Sequence, residues 1–238
     1  MVHLRAMEIA IARRFCGPAE SGNGGYTCGR LAAFVAAPAE VTLRVPPPLD
    51  TPLAVVMDGA KARLLHGTTL VAEAAPAIVD VTPPRPPTWD EAVAASARYD
   101  GHRAHDFPRC FVCGPAREPG DALRLWTGPL GRDGIVAAPW VPHASLADEG
   151  GRVRPEFLWA SVDCPGFWAP DPRPATPLLL GRFAARFDGG VRAGEECIAI
   201  GWPMGVDGRK HFSGTALFRR GGGLVGVARA TWIALKIA

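Results

Sequence analysis

The amino-acid sequence predicts an α+β protein in which one structural unit is used twice. Three observations carry that expectation. Each half of the chain holds an apolar helical segment, Tyr26 to Ala37 in the first and Arg154 to Ala169 in the second. Each segment ends in an Ala-Pro step, Ala37-Pro38 and Ala169-Pro170. Strand-like runs joined by tight turns follow both, and late in those runs Ala62 to Val71 is echoed by Ala216 to Val225. A helix followed by antiparallel strands makes a layered α+β unit.

The elements follow from local chemistry. Phe15 to Pro38 opens as a Gly-rich loop and becomes a short buried helix from Tyr26 to Ala37, stopped by Pro38. Strands are expected over Val41 to Val45, Leu53 to Met57, Ala62 to His66 and Leu70 to Val81, with Asp58-Gly59 as a hairpin turn. Pro83-Pro84-Arg85-Pro86-Pro87 reads as a stiff spacer. Thr88-Trp89-Asp90-Glu91 then has the capping-box pattern and opens a helix to Tyr99. Further strands are expected at Leu123 to Trp126 and Ile135 to Trp140. After the second helix they resume at Leu178 to Phe187, Glu195 to Trp202, Gly214 to Arg219 and Leu224 to Leu235. The division that results is a first unit over 1–82, a linker with a short helix over 83–100, and a second unit over 101–238.

The second helix is the most informative stretch. Phe157 to Val162 is almost wholly apolar or small, and a helix apolar all round is a buried one. Pro155 suits its first position, while Pro165 is expected to end or kink it. Two carboxylates, Glu156 and Asp163, sit inside this apolar run, seven residues apart and so on nearly one helical face. A carboxylate there is costly unless it is paired, hydrogen-bonded or put to chemical use.

Composition narrows the function. The 238 residues suffice for one large domain or two small ones, and 48% hydrophobic with 21% charged residues is ordinary for a globular chain. A net charge of +3 without any basic stripe predicts no nucleic-acid partner. The absence of a long apolar run predicts no membrane partner. Met1 to Phe15 lacks the features of a signal peptide, so the expected location is cytoplasmic and the six cysteines are expected to be thiols.

The loop and helix Gly22-Asn23-Gly24-Gly25-Tyr26-Thr27-Cys28-Gly29-Arg30-Leu31-Ala32, the segment Leu158 to Ala169 and the strands behind each resemble a tandem hot-dog protein of the acyl-CoA thioesterase-like superfamily. The resemblance implies a double hot-dog, in which two antiparallel sheets each wrap a central helix and the halves are related by a pseudo-twofold axis. It implies an acyl thioester as ligand, bound where the units meet, with its carbonyl held at a helix N-terminus beside a carboxylate. Gly24-Gly25 matches the family's glycine pair, although Asn23 stands where many members carry His, and the second helix lacks such a pair. Three functions stay open: thioester hydrolysis, non-catalytic acyl or lipid binding, and enoyl-thioester hydration. A homodimer of the pseudo-dimer is a further expectation.

For the chemistry, Asp163 is the first choice of base or nucleophile, because Trp159, Val162 and Phe167 would raise its pKa. Glu156 is second and Glu20 third. The alternative for Asp163 is a helix-end carboxylate bonded to Ser161, Arg154 or backbone. Asn23 could hydrogen-bond a carbonyl or water, or serve only as a turn residue. Gly24 and Gly25 are expected to hold the thioester carbonyl, Trp159 to line the acyl pocket, and Arg182 and Arg186 to meet coenzyme A phosphates. His102-Arg103-Ala104-His105 followed by Cys110-Phe111-Val112-Cys113-Gly114-Pro115 permits a tetrahedral zinc site. The reading preferred on spacing alone is a tight knuckle of free thiols, with no cofactor and no metal. Cys164 reads as buried packing.

Overall fold

The structure, a computed structural model, describes residues 7–170 and 174–236; the first part of the start segment, residues 1–6, lies outside the described residues. Its strands are β1 (Met7–Ile9), β2 (Ala39–Leu43), β3 (Leu53–Asp58), β4 (Lys61–His66), β5 (Thr69–Pro76), β6 (Gly128–Pro129), β7 (Val136–Trp140), β8 (Leu178–Phe187), β9 (Cys197–Asp207), β10 (Lys210–Arg219) and β11 (Leu224–Ala234). The α-helices are α1 (Gly24–Ala32), α2 (Trp89–Ser96), α3 (Pro155–Ser161) and α4 (Cys164–Trp168).

The expectation of two sheets is replaced by one. All eleven strands form a single sheet in the order β1-β3-β4-β5-β2-β8-β11-β10-β9-β7-β6. Antiparallel pairing of β2 with β8, with Val41 opposite Phe183, makes it continuous. Read outward from that pair, β2-β5-β4-β3-β1 on one side has the order of β8-β11-β10-β9-β7 on the other, and β6 is added at the far edge. The join hides two strand edges that would otherwise present unpaired backbone groups.

Several boundaries moved for identifiable reasons. Helix α1 starts at Gly24 because the Asn23 side chain caps it, accepting the Tyr26 N–H at 2.9 Å. The strand expected over Leu123 to Trp126 is irregular, since Arg124 takes a positive φ of 54°. Its backbone still pairs locally, with Leu123 N–H donating to the Phe111 carbonyl and Leu125 N–H to that of Val112. The capping box at Thr88 and Glu91 is present in full and starts α2, which packs on β7.

The expected long helix over 155–168 is two. It breaks at Val162-Asp163 and not at Pro165, because proline is tolerated within the first turn of α4. The Thr215 hydroxyl donates to the Val162 carbonyl at 2.6 Å, satisfying a group that the break leaves outside the helical ladder. Glu156 and Asp163 therefore do not share a helical face.

Helices α1 and α3 lie close because glycine lines their contact. A Cβ on Gly29 would fall 2.7 Å from Glu156 Cα, and one on Gly25 would fall 2.4 Å from Asp163 Cβ. Residues four apart share a helix face, so these two glycines form one flat strip. The large core spans both halves, with Leu31, Val41 and Leu64 from the first and Phe157, Phe183 and Leu217 from the second fully buried. A second cluster beneath α2 joins Ala92 and Ala95 to Ile198, Ile200 and Phe218.

Candidate functional site at the first turn of α1

The break after α3 turns Asp163 out of its helix and toward the N-terminus of α1. One carboxylate oxygen, Oδ2, accepts the Gly25 N–H and the Asn23 side-chain N–H, each at 2.9 Å. Asn23 thus does two jobs: its oxygen caps α1 and its nitrogen grips Asp163. The other oxygen, Oδ1, is buried and has no hydrogen-bond partner among the described residues. Asp163 is 1% exposed. Burial pushes its pKa up to about 7, aided by nearby Cys110 and opposed by the Gly25 and Asn23 donors.

Asp163 lines a cavity of about 230 Å³ at the same place. Asn23 and Gly24 form its wall on the α1 side, and Gly24 N–H finds no acceptor among the described residues. Phe107, Phe167, Leu178, Leu180, Trp232 and Ile233 make the remainder largely apolar. Close approach explains the glycine pair. A Cβ on Gly24 would meet Leu180 at 2.7 Å, while Gly25 lets α1 reach Asp163.

Sulfur forms another part of the wall. Cys110, Cys113 and Cys164 line the cavity with His105, and their Sγ atoms lie within 4.8 Å of one another. Burial pushes the Cys113 and Cys164 thiols up. Hydrogen bonds from those two thiols, with backbone N–H groups of Cys113 and Val112, pull Cys110 well below the usual thiol range.

The other residues singled out from sequence stand elsewhere. Glu156 does not line the cavity and pairs with Arg154 at 3.5 Å. Glu20 is a surface residue facing Arg13 at 3.6 Å. Trp159 is core, edge-on to Phe183, because the glycine strip of α1 draws its ring under that helix. Arg182 pairs with Glu40 and lines a separate, smaller cavity, while Arg186 pairs with Asp188 and donates to the Val79 carbonyl. The arginine that lines the Asp163 cavity is Arg44, held by Glu73. His102 packs edge-on against Tyr99 and Trp126, apart from the sulfur cluster. Trp232 was legible only as a strand tryptophan, and Cys164 only as an apolar-segment cysteine. Their convergence needed long-range pairing.

Compared with known proteins, the chain matches no protein-family profile and no curated protein. Solved structures do match over its length. An acyl-CoA thioesterase II, TesB2, from Mycobacterium marinum superposes with a TM-score of 0.63 at 12% identity, covering 100% of this chain and 96% of that one. A conserved hot-dog protein of unknown function from Alicyclobacillus acidocaldarius gives 0.61 at 12% identity, with coverage of 100% and 96%. A tesB protein from Mycobacterium avium subsp. paratuberculosis gives 0.60 at 14% identity, with coverage of 92% and 89%. At such identities the likeness speaks to architecture and not to chemistry. Superposition over the full length of these proteins leads to one statement: this chain has a double hot-dog fold.

Proposed function

We propose that the chain binds an acyl thioester in the cavity beside α1 and hydrolyses it, with Asp163 as the general base. In this reading residues 1–82 and 101–238 are two hot-dog units, products of duplication, each wrapped around its own helix. The site lies where α1 of one meets the α3–α4 break of the other. The observation that carries the reading is the divided environment of Asp163, a residue that lines the apolar cavity: one oxygen is fixed by Gly25 and Asn23, and the other is buried without a hydrogen-bond partner among the described residues. A general base needs both a fixed orientation and an oxygen left to take a proton.

The steps follow from those positions. The acyl chain lies against Phe107, Phe167, Leu180 and Trp232, and the thioester carbonyl meets the first turn of α1. Asp163 Oδ1 takes a proton from water, whose oxygen attacks the carbonyl carbon. Gly24 N–H and the positive end of α1 stabilise the oxyanion. The C–S bond then breaks, and Asp163 returns the proton to the leaving sulfur. Arg44 is the cation closest in role to the one sought in Arg182 and Arg186, and it meets coenzyme A phosphate at the cavity edge.

The test is thiol release from a panel of acyl-CoA thioesters. The wild-type chain releases thiol, and Asp163→Asn, which keeps the shape but loses the base, is slower by roughly 10²–10⁴-fold. Tight acyl-CoA binding without turnover by the wild type would replace hydrolysis with a binding module. Hydration of an enoyl-CoA without thiol release would assign the same carboxylate to the other reaction.

A further inference from the structure

The proposed hydrolysis uses no cysteine, yet the cavity wall holds three converging cysteines, and their surroundings are built for more than packing. Cys110 and Cys113 sit on a tight knuckle closed by the Gly114 N–H donating to the Cys110 carbonyl at 2.9 Å. Gly114 is required there, since a Cβ would lie 2.5 Å from the Pro108 carbonyl oxygen and 2.6 Å from Cys110 backbone atoms. The third cysteine, Cys164, arrives from the start of α4 because the helix break sets it beside Asp163. Its Sγ is 3.8 Å from that of Cys110. Around a tetrahedral zinc ion with Zn–S bonds of about 2.3 Å, sulfurs stand about 3.8 Å apart.

Donors also gather on these sulfurs. His105 Nδ1 accepts the Phe107 N–H at 2.9 Å, which leaves the ring proton on Nε2, 3.4 Å from Cys113 Sγ. The Asn23 side-chain nitrogen lies 3.9 Å from Cys110 Sγ. A thiol is a weak acceptor with little use for several donors, whereas a thiolate bound to a metal takes them. Three thiolates packed together in an apolar wall need a cation to offset their charge.

We propose that Cys110, Cys113 and Cys164 bind one thiophilic divalent cation, zinc in the first instance. His105 serves as an N–H donor to Cys113 and not as a ligand, and the fourth position lies toward the cavity. This revises the reading of the Cys110-x-x-Cys113 knuckle as free thiols: its third partner comes from far along the chain, and the histidine acts through the sulfur. Binding turns thiols into thiolates and releases their protons to solvent.

The test is direct metal analysis of the full chain, purified without a metal-affinity step and reconstituted with zinc or cobalt(II). About one equivalent of zinc per chain is expected, and cobalt(II) should give thiolate charge-transfer absorption with tetrahedral d–d bands. Cys110→Ser, Cys113→Ser and Cys164→Ser each weaken cobalt binding by about tenfold or more, and His105→Gln weakens it by roughly 10–100-fold without abolishing it. Cys197→Ser, a buried cysteine on β9 away from the cluster, keeps full binding. Where a ligand variant fails to fold, zinc protection of three thiols from a thiol reagent in the unfolding-free wild type decides alone. A wild-type chain that takes up neither ion, with thiols reacting equally with and without zinc, overturns the proposal, as does a Cys110–Cys164 disulfide in protein kept under reductant. Metal content is read without turnover, so loss of the hydrolase reading leaves this proposal standing, and its own failure leaves Asp163 untouched.

Discussion

Asn23 is the residue on which the site turns. It was legible as a polar residue amid glycines, with a turn or a hydrogen-bonding role both open. The fold gives it a helix cap and a grip on Asp163 together, through the two ends of one amide. Asn23→Ala removes both, leaving the Tyr26 N–H and Asp163 Oδ2 each one partner short. It is expected to cost about 1–2 kcal/mol, read as a lower urea midpoint at unchanged slope. An unchanged midpoint would mean that the cap contributes nothing here. Sequence draws attention to Asp163 by a simple argument, that an acid in an apolar run must be paired or used. Glu156 met the same argument, and because the helix breaks between the two acids it stands off the cavity, paired with Arg154.

At the scale of elements, the contact of α1 with α3 explains why the glycines fall where they do. Gly25 and Gly29 let two helices meet with almost no side chain between them. Gly25→Ala places a methyl carbon 2.4 Å from Asp163 Cβ and 2.9 Å from the Trp159 carbonyl oxygen, neither of which yields easily. The expected result is a loss of about 1–3 kcal/mol by thermal unfolding, with thiol release falling as α1 is pushed off Asp163. Gly24→Ala meets the Leu180 side chain, from Cδ2 at 2.7 Å back to Cβ at 3.0 Å, and no backbone atom among its nearest neighbours, so its stability loss should be the smaller of the two. The reverse ranking would show that the helices are looser than their backbone approach implies. Sequence placed a helix in each half but could not register this strip, because a glycine's reason lies in the element opposite it.

At the scale of the whole molecule, the β2–β8 pair and the core that spans it make the two halves one structure. Phe183 sits at that seam, opposite Val41 and edge-on to Trp159, and is fully buried. Phe183→Ala is expected to cost about 3–5 kcal/mol. Because the core on both sides of the seam is shared, near- and far-ultraviolet circular dichroism should report one unfolding transition that moves down as a whole. Two separated transitions would instead mean that the units fold independently.

Sequence by itself determined the class of secondary structure, the two apolar helices, the capping box and the suspicion that falls on Asp163. These rest on local quantities: periodicity, proline and glycine punctuation, and the cost of a charge among apolar neighbours. Tertiary structure decided that the sheet is one, that Glu156, Trp159, Arg182 and Arg186 stand off the cavity, and that Cys164 joins Cys110 and Cys113. Each of those depends on where a chain break or a close helix contact carries a side chain in space, which spacing along the sequence does not encode.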